Sequence, residues 1–212
     1  MNQECVGLFL AEGSSDEPLA DLVTVLFAVR GVDVRVRAPD LTRLEKVGKD
    51  VSRQLRAGLR LVGEAVDVVI VHRDVDGFGH AKRREQVQMA AHEAGCTAEL
   101  VPVLTIRMTE ARLLLDVAAI RRVAGNPKGS VPLSLPKLAE VERLADPKQA
   151  LRAAFLAAAD VTGRRKAMVD KRFSNNRRLL LQQLDPFGPV QQLSAWQAML
   201  ADIDATVQRL AG

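Results

Sequence analysis

The chain has 212 residues, 48% of them hydrophobic and 26% charged, which suits one globular domain of ordinary size or a domain with an appendage and excludes a disordered polymer. No apolar run approaches the roughly 18–20 residues of a membrane span, and the start, Met-Asn-Gln-Glu-Cys, lacks a signal peptide's basic region and cleavage site, so a cytoplasmic protein is expected. Net charge is +4 but uneven: residues 1–120 hold 15 Lys and Arg against 18 Asp and Glu, whereas residues 121–212 hold 15 against 8. A basic second half points either to a polyanion or acidic partner or to solvated arginine-bearing helices.

Taken in order, Cys5–Ala11 is a short apolar run that reads as a first strand, ending in Glu12-Gly-Ser-Ser-Asp16. Residues Glu17–Arg30 place Leu19, Leu22, Val23, Leu26 and Phe27 on one helical stripe, with Pro18 in the first turn and Gly31 beyond the last. Val32–Val36 is a second strand and Leu41–Val62 a second helix. Val66–Gly77 is rich in β-branched residues and breaks off at Asp74-Val-Asp-Gly77, which predicts a buried third strand leading to an acidic turn. Gly79–Ala94 is helical, Thr97–Ile106 is a fourth strand that Pro102 demotes to an edge or bulge, and Met108–Val123 is helical again. Strands alternating with helices predict an α/β fold with a mostly parallel four-stranded sheet.

Past Gly125-Asn-Pro127 the texture changes: prolines punctuate a segment without strand signals, and helices are expected over Pro147–Val161, Arg164–Leu184 and Leu193–Leu210. We therefore expect an α/β domain over residues 1–125 and a basic helical region over 126–212 packed on it. Cys5 and Cys96 have neither disulfide nor metal spacing and read as buried thiols of a reducing compartment.

If the strands are parallel, Glu12 and Asp74-x-Asp76 meet at one sheet edge, where open α/β sheets bind ligands. Alternation along an extended segment points Asp74 and Asp76 the same way. Three hard oxygen ligands beside glycine turns suit Mg²⁺ or Mn²⁺, ions that neutralise phosphate and activate water for phosphodiester cleavage.

Strand-Glu-Gly-x-x-Asp followed by strand-Asp-x-Asp-Gly resembles the Toprim domain of topoisomerases, bacterial primases and overcoming-lysogenization-defect nucleases. Leu8-Phe-Leu-Ala-Glu-Gly-Ser-Ser-Asp16, Val71-His-Arg-Asp-Val-Asp-Gly77 and Arg107-Met-Thr-Glu-Ala-Arg-Leu-Leu-Leu-Asp116 are similar to the compact, stand-alone Toprim-like proteins of bacteria, over roughly residues 5–125. The resemblance implies a Toprim-like fold with Glu12 as metal ligand or general acid/base and Asp74 and Asp76 as the metal pair. It implies a metal-dependent nuclease acting on DNA or tRNA, as an antiphage effector beside an ABC-type ATPase, with homo-oligomers a further expectation. The other reading is a non-catalytic scaffold that binds such an ATPase or a phage trigger. A topoisomerase is disfavoured because the chain has no tyrosine.

Asp16 is either a second-metal ligand or a helix cap, and Glu110 either a ligand or a charge favoured by a helix N-terminus. Asp116 reads as a solvated surface residue. Lys82, Arg83 and Arg84, with Arg164, Arg165, Lys166, Lys171 and Arg172, and beyond them Arg177 and Arg178, are candidates for phosphate contact or a solvated face. His72, inside an apolar strand, reads as a core residue, while His80 lies near the acidic turn. In a haloacid dehalogenase the Asp-x-Asp motif ends the first strand, not the third. The triplet His72-Arg73-Asp74 lacks every other kinase element. No phosphate loop is present, so ATP hydrolysis would need another subunit.

Overall fold

A computed structural model describes residues 4–41, 44, 47–75, 77, 79–106 and 108–211. Asp76 and Arg107 therefore lie outside the described residues. Four strands, β1 (Cys5–Leu10), β2 (Val34–Arg37), β3 (Val68–Asp74) and β4 (Glu99–Thr105), form an all-parallel sheet in the order β2-β1-β3-β4. Helices α1 (Pro18–Ala28), α2 (Val51–Val62) and α3 (His80–Glu93) make the crossovers. The predicted α/β class with a helix-flanked four-stranded sheet is what the chain forms.

Both sheet faces are buried, which explains why the strands read as continuous apolar runs rather than alternating ones. Leu8 and Leu10 of β1 and Val69 and Val71 of β3 pack with Leu55 of α2 and with Val87 and Ala91 of α3. Phe9, Val68 and Ile70 point to the opposite face and are equally buried. Gly58 sets the approach of α2: a Cβ there would lie 3.0 Å from Leu8 Cδ2 and 3.1 Å from Leu10 Cδ2, so a side chain would push the helix off β1. Pro102 is accommodated because β4 is an edge strand, with unbroken register against Val71.

The second helix starts at Val51, later than the periodicity predicts. Gly48 adopts a left-handed φ of 54°, and Asp50, in extended conformation, accepts the Arg53 N–H at 2.8 Å. That backbone N–H, and then the Ser52 hydroxyl, hold the Asp50 carboxyl below its usual pKa. A depressed folded-state pKa means the cap stabilises fully above the unfolded value of about 3.9 and is lost as pH falls through the folded one. Asp50→Ala should cost about 0.5–2 kcal/mol at neutral pH. Urea titrations of both chains should show that difference shrinking below pH 4.

The chain divides into two compact units, Met1–Thr105 with Gln197–Gly212, and Ile106–Trp196. The second holds α4 (Thr109–Leu113), α5 (Val117–Val123), α6 (Leu138–Val141), α7 (Pro147–Ala159), α8 (Gly163–Lys171) and α9 (Phe173–Gln182). Its core gathers Leu151, Phe155, Phe173 and Leu181, with Phe155 and Phe173 edge to face at 6.2 Å. Helix α10 (Ser194–Ala211) runs across the division. In the sheet unit its later turns pair Asp204 with Arg30, Asp202 with Arg84 and Arg209 with Glu99.

Two predicted helices are each broken in two. Asp116 caps α5 by accepting the Ala119 N–H at 2.8 Å, a backbone role rather than a merely solvated one. Arg172, at φ −88° and ψ 7°, separates α8 from α9. Among the described residues no helix is long and apolar enough to cross a membrane.

Candidate functional site

The all-parallel order β2-β1-β3-β4 reverses direction of build between β1 and β3, so the crevice beyond their carboxyl ends is the topological switch point. Register then determines which residues meet there. Leu10 pairs with Val71, so Glu12, two residues on, comes level with Arg73 and Asp74. Glu12 Oε2 accepts the Asp74 backbone N–H at 3.1 Å. Its other oxygen lies 3.6 Å from Lys49 Nζ, whose side chain is 83% exposed. Two acids separated by 62 positions are thus joined by one hydrogen bond.

Asp74 ends β3 opposite Thr105 of β4. The Thr105 hydroxyl donates to Asp74 Oδ1, and His72 Nε2 lies 3.9 Å from the same oxygen. Parity puts His72 and Asp74 on one face of β3 and Arg73 on the other, the face covered by α2 and α3. His72 is fully buried, the core residue its setting predicts.

Arg73 is also buried, at 4% exposure. Its guanidinium donates to the His72 carbonyl at 2.6 Å and to the Gln54 side-chain oxygen from α2. Burial pulls its pKa below the ordinary guanidinium value, opposed first by the nearby Glu12 carboxylate. Together with Glu12, Lys49, Val51, Gln54 and Arg83 it lines a cavity of about 230 Å³. A second cavity of about 280 Å³, between the end of β1 and the Ala38–Leu41 stretch, shares Glu12, Lys49 and Gln54 with it.

The remaining candidates fall in different places. Asp16 is buried in a short 3-10 turn, Ser14–Asp16, beside Gly13; the N-cap of α1 is Glu17, so Asp16 does not cap that helix. Lys82 is exposed on α3, and Arg83 donates to Gln86 while lining the cavity. Arg84 is held in a fork by both oxygens of Asp202, at 2.8 and 2.6 Å, which raises its pKa. In the second unit Glu110 is buried against Arg177 Nε at 2.8 Å. That pairing removes Arg177 from the basic surface, whereas Arg164, Arg165, Lys166, Lys171 and Arg172 are all exposed on and just after α8.

Among the described residues no three His, Cys, Asp or Glu side chains converge as a metal-binding group. The participants that sequence reading misses are Thr105, Gln54, Lys49 and Arg73. Each is an ordinary residue type in an ordinary pattern, and its role comes from a partner distant in the chain. Comparison with protein-family models, with curated proteins and with solved structures gives no match.

Proposed function

We propose that the chain is a Mg²⁺-dependent phosphodiesterase of nucleic acid, acting in the cytoplasm as the effector of a bacterial antiphage system beside an ABC-type ATPase. The observation that carries the catalytic part is the Glu12 carboxylate seated on the Asp74 amide at the sheet's switch point. The ATPase partner rests on the Toprim resemblance.

The donor set fits the ion chemically. Mg²⁺ takes hard oxygen ligands and is commonly held by one or two carboxylates, with waters and substrate phosphate completing the shell. Glu12 and Asp74 are the carboxylates available, with Asp76 outside the described residues as the third. The Lys49 contact is a long, exposed ion pair of little strength and does not bar a ligand from Glu12. When bound, the ion neutralises phosphate charge and lowers the pKa of an attacking water. The chain's own residues hold the carboxylates in place: the Asp74 N–H orients Glu12, and the Thr105 hydroxyl orients Asp74.

Cleavage of plasmid DNA and of tRNA by the purified chain, with Mg²⁺ or Mn²⁺ and with or without a neighbouring ATPase, tests the reading. Absence of both cleavage and Mn²⁺ binding would refute it. The scaffold reading would then stand, supported by the burial of Glu110 against Arg177 in place of an exposed ligand. Thr105→Val should weaken Mn²⁺ binding about 10–100-fold, the usual effect of removing a group that orients a ligand. Electron paramagnetic resonance of free Mn²⁺ reads this directly; unchanged affinity would show that Asp74 needs no such support.

A further inference from the structure

Among the described residues, the 230 Å³ cavity beside Glu12 is walled by three cations, Lys49, Arg73 and Arg83, and one carboxylate, Glu12. Arg73 is the group that packing does not account for. A buried charge is costly unless it is paired, yet its two hydrogen-bond acceptors, the His72 carbonyl and Gln54, are neutral. Among the described residues no carboxylate bonds to it; Glu12 and Asp50 act on it only through space. A guanidinium has five N–H donors in a planar fork suited to phosphate oxygens, and two acceptors leave donors for a ligand. Val51 and Gln54, from the first turn of α2, form another wall.

We propose that Arg73, Lys49 and Arg83 form an oxyanion subsite that takes a phosphate group beside Glu12. Identifying that phosphate as the substrate's rests on the phosphodiesterase reading; binding of the anion itself does not. Bonds from Arg73 and the exposed Lys49 would hold the phosphate and offset charge that builds on it during reaction. Glu12, the acidic wall, repels the anion and keeps it to the cationic side.

Inorganic phosphate is the probe, titrated into the full chain by calorimetry in EDTA at low ionic strength, so that no metal contributes. One saturable site is expected. Arg73→Gln should weaken it by about 10–100-fold, as loss of charge-assisted hydrogen bonds does. Lys49→Ala, at an exposed position that cannot endanger folding, should weaken it about 2–5-fold, and Glu12→Gln should tighten it by removing a like charge. If Arg73→Gln fails to fold, Lys49→Ala and Glu12→Gln carry the test through their opposite signs. No saturable binding, or the same affinity in every variant, overturns the subsite whether or not nucleic acid is cleaved. Phosphate binding with the expected variant effects, but with neither Mg²⁺-dependent cleavage nor Mn²⁺ binding, leaves the subsite standing and overturns the phosphodiesterase reading.

Discussion

Exchanging Glu12 for glutamine should lower Mg²⁺-dependent cleavage of nucleic acid by about 10²–10⁴-fold, the span over which a positioned acid–base or charge-stabilising group acts. The substitution is nearly isosteric. The amide oxygen can still accept the Asp74 N–H, now 3.1 Å from Glu12 Oε2, so the strand ends stay together. What disappears is the negative charge that would hold a divalent ion. Asp74→Asn should behave alike, since its side-chain oxygen still receives the Thr105 hydroxyl. Single-turnover cleavage measures the effect, with circular dichroism confirming the fold. Activity within about threefold of the parent chain in both variants would mean that the hydrolytic site lies elsewhere.

Arg177→Met should destabilise the protein by about 3–5 kcal/mol, the cost of leaving a buried charge without its partner. The side chains of Arg177 and Glu110 are 8% and 4% exposed, and Glu110 Oε2 is buried with no hydrogen-bond partner among the described residues. Glu110 therefore depends on Arg177, and the single change strands a carboxylate in the second unit's interior. Adding Glu110→Leu in the same chain should recover much of the loss, because a well-packed apolar pair replaces a buried ion pair at little net cost. Urea denaturation of the two single variants and the double closes the cycle. A loss below about 1 kcal/mol for Arg177→Met would place the pair in the class of solvated surface bridges. Reduced Mn²⁺ binding by a stably folded Glu110→Gln chain would identify Glu110 as a metal ligand.

The strands were legible because both sheet faces are buried. Runs such as Val68–Val71 are short and β-branched, which favours a buried strand over a buried helix, and the Glu12 and Asp74 turns follow where those runs stop. Helix ends were less legible. Apolar periodicity continues across the breaks at Asp50, Asp116 and Arg172, where the deciding events are a single side chain accepting a backbone N–H at Asp50 and Asp116 and a local change of dihedral angles at Arg172.

By itself, the sequence determined that strands alternate with helices and that acids stand where two strands end, since local composition carries both facts. Tertiary structure decided which of those acids meet and what surrounds them. Parallel register, not spacing along the chain, sets Glu12 on the Asp74 amide and brings Thr105 to the Asp74 carboxylate from 31 residues away. It also turned two arginines that look alike in sequence into opposite things. Arg177 is neutralised by Glu110, whereas Arg73 is buried against neutral oxygens beside a cavity, and only the partners that folding supplies distinguish them.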